Sequence, residues 1–407
     1  MAELKYWIWM NELGLNPYVA RQILEFFGGP KEVFFAERDA FLEVPGLGER
    51  ELVALTNKEL KHVYRIGNDM QALGGRILTQ QDADYPQRLR NVGDAPLVLY
   101  VRGRLPVVDD EATVVIAGTR KCSPYGLTAA ARIAGEVTRH GGVVVSGLAA
   151  GVDAAAAQGA LREGGPVIGV LGCGVERVYP AENVALFEAV LENGAIVSEY
   201  PPGAEPARHN FPRRNRIMTG LSLALVVVEM PTEKSGVMHS VNHAIEQGRD
   251  VFVVPANIDA PTSQASNALI AEGFQSASTG WQVLRDYARQ FPKLQEEIRD
   301  ERRLARPPIR AAVREDKARP STKKEIDKVP KEVYIDVEAL GKDRSEAERA
   351  VLACLGQEPV HVDEIVAKCG LPVQKVSVCL TTLGIADYIR EHPGKRYSIN
   401  PKIRSSR

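Results

Sequence analysis

Four arginines and no lysine fall within residues 201–216, PPGAEPARHNFPRRNR: Arg208, Arg213, Arg214 and Arg216 stand against Glu205, with His209 and Phe211 interleaved. A guanidinium grips phosphate through a planar fork of N–H donors, which a lysine ammonium does not reproduce. An aromatic ring among such groups offers a base something to stack on, so the segment reads as a loop for a nucleic-acid strand. A solvated charged loop is the plainer alternative, and the exclusive use of arginine argues against it. Other short motifs have matching chemistry. Gly118-Thr119-Arg120 ends an apolar run with a bare backbone and a further guanidinium. In SGLAAGVD, Ser146 and Gly147 lead to Gly151 and Asp153. These glycines flank a tight entry into a helix whose free N–H groups suit an anion, and Asp153 could cap that helix or accept from a sugar or base edge. Close packing of strand, turn and helix would explain the same glycines. Gly172-Cys173-Gly174 bares the backbone again, with Tyr179-Pro180 on the same loop. Cys173 there reads as a small buried filler.

Ser235-Gly236 opens a helix carrying His239 and His243. Their i, i+4 spacing is that of a zinc pair, but Ser240 stands where a metalloprotease needs glutamate, and no third ligand is apparent. The first strand is not followed by G-x-G-x-x-G, and no P-loop, G-x-S-x-G elbow or Ser-His-Asp order occurs. No catalytic, metal or cofactor motif is therefore apparent in the sequence.

These groups need a scaffold that brings them to one edge. The runs TVVIAG, VVVSG, PVIGVLG, AIVSEY, LALVVVEM and DVFVVP are continuously apolar, as in strands buried on both faces of a parallel sheet. Helical stretches at 127–139, 152–163 and 184–193 alternate with them. The pattern predicts an α/β, Rossmann-like, doubly wound and mostly parallel sheet with right-handed crossovers. Ligands of such sheets bind outside the carboxyl ends of the strands, where every motif above lies. Residues 1–75 have helical apolar spacing, and their Pro45-Gly46-Leu47-Gly48 turn gives a SAM-like or helix-hairpin-helix-like element. With 8 Lys or Arg against 10 Asp or Glu through Arg65, net -2, this region suits a structural or protein-docking role. Residues 76–288 form the sheet domain with its N-terminal extension, and 289–344 a charged linker. In 345–407 a capping box at Ser345 and Glu348, further helices and a hairpin turning at Pro393-Gly394 give a winged helix.

Composition limits the function classes. Among 407 residues, 51 Lys and Arg balance 52 Asp and Glu, so a basic coat is excluded and nucleic acid must be met by a local patch. No apolar run is long enough for a bilayer, the first residues lack the basic start of a signal peptide, and the five cysteines never form C-x-x-C. A cytoplasmic protein without membrane contact is expected.

In order from Asp84 to Gly273, the segments DYPQRLRNVGDAPLVLYVRG, VVIAGTR, SGLAAGVD, LGCGVERVYPAEN, VSEYPPG, FPRRNRIMTGLS, EKSGVMHSVNHAIEQGRDVFVVP and NALIAEG resemble the DNA-processing protein DprA (Smf) family. The resemblance implies a cytoplasmic homodimer that binds single-stranded DNA without sequence preference. It implies loading of the RecA recombinase onto that strand, chiefly in natural transformation, and no established catalysis. It also implies DNA contacts at Gly118 and Arg120, Ser146 and Gly147, Arg214 and Arg216, and Ser235 and Gly236. Gly151, Asp153, Arg213 and Asn215 complete the candidate site. Several positions depart from the family pattern: Ala157 replaces a histidine, His239-Ser240 a Thr-Ala pair, Ala256 and Ala265 glycines, and Phe274 an alanine. Two other functions compete. Phosphoribohydrolases of related fold carry P-G-G-x-G-T-x-x-E, where residues 231–236 here read PTEKSG. A winged-helix DNA-binding regulator would read bases with residues 373–383, which hold Gln374 and Lys375 but no arginine before Arg390.

Overall fold

The computed structural model describes residues 3–295, 335–336, 345–356, 358–385, 388–392, 395–399 and 403–404. Most of the 289–344 linker and the Pro393-Gly394 turn lie outside the described residues. The chain divides into two compact units, Met1–Val313 and Arg314–Arg407.

The first unit is built on a nine-stranded sheet: β1 (Arg76–Thr79), β2 (Val98–Gly103), β3 (Thr113–Ala117), β4 (Val143–Ser146), β5 (Val167–Leu171), β6 (Ala195–Ser198), β7 (Ala224–Val227), β8 (Asp250–Val253) and β9 (Gln275–Ser276). Their order is β1-β2-β6-β5-β4-β3-β7-β8-β9. Pairing is parallel from β6 through β9 and antiparallel for β1 with β2 and β2 with β6. The chain winds outward from β3 to β6, then restarts at β7 on the other side of β3, which makes β3 and β7 the topological switch point. Successive side chains alternate between two cores. Val114 and Ile116 join one apolar cluster, and Val115 and Ala117 the other. Both faces are thus covered, as the unbroken apolar runs require.

The first core is shared with the N-terminal helices. Trp7, Ile8, Trp9 and Met10, from helix Leu4–Glu12, cluster with Val98 and Tyr100 of β2. Asn11 Nδ2 donates to the Glu199 carbonyl at 3.3 Å, just beyond β6. This helical region therefore packs on the antiparallel flank of the sheet, away from the switch point. No helix among the described residues is long and apolar enough to cross a membrane.

In the second unit, Ser345 and Glu348 form the capping box of helix Glu346–Ala353. Helices Val362–Cys369 and Val373–Ile385 follow, and strands Ile389–His392 and Arg396–Ile399 pair antiparallel. Val351, Ile365, Val376 and Leu383 close a small core. Three helices followed by a paired wing make the winged helix.

Candidate nucleic-acid interface

In a parallel sheet all strands end at the same edge, so the exits of β3, β4, β5, β6 and β7 form one rim. Arg120, just past β3, is exposed. Its Cζ lies 5.1 Å from the ring centroid of Phe211, and that ring lies tilted against Tyr179, beyond β5, at 5.2 Å and 31°. Arg208 and Arg213 are exposed on the β6 side of the rim. At the β7 exit, Ser235 caps helix Gly236–Glu246 by accepting from Val237 N. Gly236 is exposed, and a Cβ there would meet nothing within 4 Å. That helix start is open to solvent, with N–H groups suited to an anion.

The arginine-rich segment is not a loop throughout. Helix Asn210–Gly220 takes up Phe211, Arg213, Arg214, Asn215 and Arg216. Pro212, which reads as a breaker in the sequence, sits in the first turn, where its missing N–H costs no helical bond. The helix sends its arginines in different directions. Arg214 points under the rim with 4% exposure, its Nη1 donating to the carbonyls of Gly147 at 2.7 Å and Val170 at 2.6 Å. Arg216, also 4% exposed, is held by Asp94 at 3.2 Å and Glu199 at 2.6 Å. Two carboxylates around one guanidinium make an anion-repelling setting on the β2–β6 flank. Both guanidiniums, expected from the sequence to contact DNA, are turned inward in this structure and bond the protein itself. Asn215 Nδ2 reaches the Gly236 carbonyl at 3.4 Å, linking the middle of this helix to the start of the next.

The rim glycines serve the packing beneath. A Cβ on Gly118 would stand 2.6 Å from Val152 Cγ2, and one on Gly147 would fall on the Arg214 guanidinium. Gly151 has φ +81°, and its Cβ would lie 2.6 Å from the carbonyl oxygens of Thr119 and Arg120. Ser146 is fully buried; its hydroxyl donates to the Asp153 carbonyl at 3.0 Å and accepts from Leu148 N at 3.1 Å. Asp153 is buried too. Desolvation pushes its carboxyl up to about 6, although Arg214, Arg120 and the N–H groups of Ala149 and Gly118 pull it down. Cys173 is 1% exposed, and burial pushes its thiol up to about 11, far from a reactive thiolate.

Sequence reasoning passed over Glu229, at the switch point. It is 1% exposed, and its carboxylate accepts from Ser123 N at 2.8 Å, Ser123 Oγ at 2.6 Å and Thr262 Oγ1 at 2.9 Å. An internal carboxylate thus covers the start of helix Pro124–Arg139, the place where a doubly wound sheet otherwise receives a nucleotide phosphate. The signal was a lone glutamate ending an apolar strand. Among the departures, Ala157 is fully buried and Ala265 N donates to Met230 O at 3.0 Å, so both fill packed positions. His239 is exposed and His243 faces Glu246 at 3.5 Å. No cluster of three or more His, Cys, Asp or Glu suited to a metal occurs among the described residues.

Comparison with known proteins decides the family. Residues 76–288 match the family described as DNA recombination-mediator protein A, and residues 338–395 match the DprA winged helix domain. Protein Smf of Synechocystis is 31% identical across 97% of this chain and 98% of its own length. The chain belongs to the DprA (Smf) family. Another DprA, the DNA processing protein of Streptococcus pneumoniae, is 35% identical over 51% of this chain and 72% of its own. The X-ray structure of DprA from that organism superposes with a TM-score of 0.61 at 28% identity, covering 69% of this chain and 97% of that one. Within the DprA frame, residues 76–288 contain the whole rim, and the winged helix is a second family element.

Proposed function

We propose that this chain is a single-stranded DNA-binding recombination mediator that loads the RecA recombinase onto the strand, as in natural transformation. It acts as a cytoplasmic homodimer and needs no catalytic group. The observation that carries this reading is the exposed Arg120 stacked on Phe211 at the rim of the sheet. A cation for the backbone and a ring for a base then lie side by side, which is how sequence-tolerant single-strand sites are built. Arg120 and Arg213 would meet phosphates, and the open start of helix Gly236–Glu246 another, while Arg214 supports the rim from below. Two rims in a dimer would engage one strand with raised avidity.

The phosphoribohydrolase alternative is disfavoured by Glu229, which already bonds the backbone and hydroxyls that a nucleotide phosphate would need. On the winged helix, Val373 and Val378 are 56% and 66% exposed on the helix that a regulator would use to read bases. That apolar surface suits protein contact better than a groove.

The test is a salt titration of binding to unpaired and duplex oligonucleotides. The wild type is expected to prefer the single strand. Arg120→Ala should melt as the wild type does, bind all sequences more weakly to about the same degree, and flatten the log–log salt slope by about 0.7. An affinity insensitive to salt, or a loss confined to one sequence, contradicts the proposal.

A further inference from the structure

We infer that Tyr179 is a base-stacking surface of the same site, adjoining Phe211. The inference rests on the single-strand reading and deepens it.

The exits of β3 and β5 are two strand spacings apart, about 10 Å. Phe211 bridges that distance, with Arg120 on the β3 side at 5.1 Å and Tyr179 on the β5 side at 5.2 Å. The row runs from cation to ring to ring across the β4 exit. Tyr179 is 38% exposed, and its hydroxyl has no hydrogen-bond partner among the described residues. A tyrosine whose task is packing buries its ring and satisfies its hydroxyl. This one leaves its hydroxyl and part of its ring open at the mouth of the site.

Its loop is also anchored. Asn183 Nδ2 donates to the Leu148 carbonyl at 2.9 Å, fixing the end of the loop to the β4 exit. Gly174 N donates to Ala204 O at 2.9 Å, and Asn210 Nδ2 to Gly172 O at 2.9 Å. The second of these bonds joins the β5 exit to the residue preceding Phe211, so the two rings are held by one connected frame. A ring fixed before the ligand arrives loses little freedom on stacking. The neighbouring carboxylates do not close the surface: Glu176 accepts from Gly203 N at 2.8 Å, and Glu205 pairs with Arg177 at 2.9 Å.

The experiment uses the full-length protein and a fluorescent oligothymidine. Tyr179→Ala is expected to weaken binding about five- to a hundredfold, with the salt slope unchanged, because stacking releases no counterions. Tyr179→Phe should bind within about threefold of the wild type, since the ring rather than the hydroxyl does the stacking. In parallel, wild-type protein is irradiated on an oligonucleotide containing 5-iododeoxyuridine, and the crosslinked residues are mapped by mass spectrometry. Crosslinks at Tyr179 support the inference without depending on how the alanine variant folds. Wild-type affinity in Tyr179→Ala, or crosslinks that spare Tyr179 while marking Phe211, overturns it and leaves the single-strand reading standing. A wild type that fails to bind the oligonucleotide sinks that reading itself.

Discussion

Arg214→Ala is expected to lower the melting temperature by on the order of 10 °C, whereas Arg120→Ala, at the exposed rim, leaves it unchanged. Removing a buried guanidinium that bonds two carbonyls leaves each acceptor unsatisfied, at about 1–3 kcal/mol apiece, and takes a favourable field from the buried Asp153. In a domain of this size that corresponds to several degrees per kcal/mol, about 2–4 °C each. Here the residue left behind is Asp153, together with the carbonyls of Gly147 and Val170. Arg214→Lys should recover only part of the loss: both bonds come from Nη1, and the shorter lysine side chain must bring its ammonium to the same two carbonyls. The loss should also depend on pH. Burial holds the Asp153 carboxyl at about 6, against 3.8 for its ordinary value. The folded protein therefore keeps that proton where the unfolded chain has lost it. The stability it brings is complete below 3.8 and disappears as pH rises through about 6. Without Arg214 the carboxyl climbs further, so the gap between variant and wild type should widen between about pH 5 and pH 8. Thermal melts of both proteins at the two pH values measure this. A gap independent of pH would mean that Asp153 does not feel the guanidinium.

The parallel sheet was legible because strands buried on both faces cannot alternate: Val114, Val115 and Ile116 are all fully buried, and no polar residue interrupts them. The motifs at the strand exits were legible for a related reason, since glycines and arginines break that apolar pattern abruptly. What could not be read was the direction each arginine takes. Arg213, Arg214 and Arg216 share one helix, and neighbours on a helix point about 100° apart. The sequence also gives no sign that Asp94 and Glu199, far from each other along the chain, meet at Arg216. Tyr179 went by as a loop residue because its stacking partner lies on a different element, 32 positions on. The antiparallel strands β1 and β2 escaped notice as well. Their residues are short and mixed in polarity, and their pairing depends on β6, which comes much later in the chain.

Gly151→Ala should cost about 2–6 kcal/mol and, at temperatures where the variant is folded, should weaken DNA binding as Arg120→Ala does although Arg120 is untouched. The φ of +81° is open to glycine and strained for alanine. The added methyl would also stand 2.6 Å from the carbonyl oxygens of Thr119 and Arg120. Those are backbone atoms, so no side chain can swing aside to relieve the contact. Nor can the strand exit simply retreat, because Thr119 N is bonded to the Glu229 carbonyl at 2.9 Å on the β7 side. The relief must come from turning the 119–121 backbone, which carries Arg120 away from the Phe211 ring. A melt paired with a salt titration separates the consequences: the melt reports the strain, and a slope flattened by about 0.7 reports the displaced cation. Near-wild-type values in both would mean that the β4 exit is soft. The positions of Arg120 and Phe211 would then be set elsewhere, and the glycines would be incidental to the site.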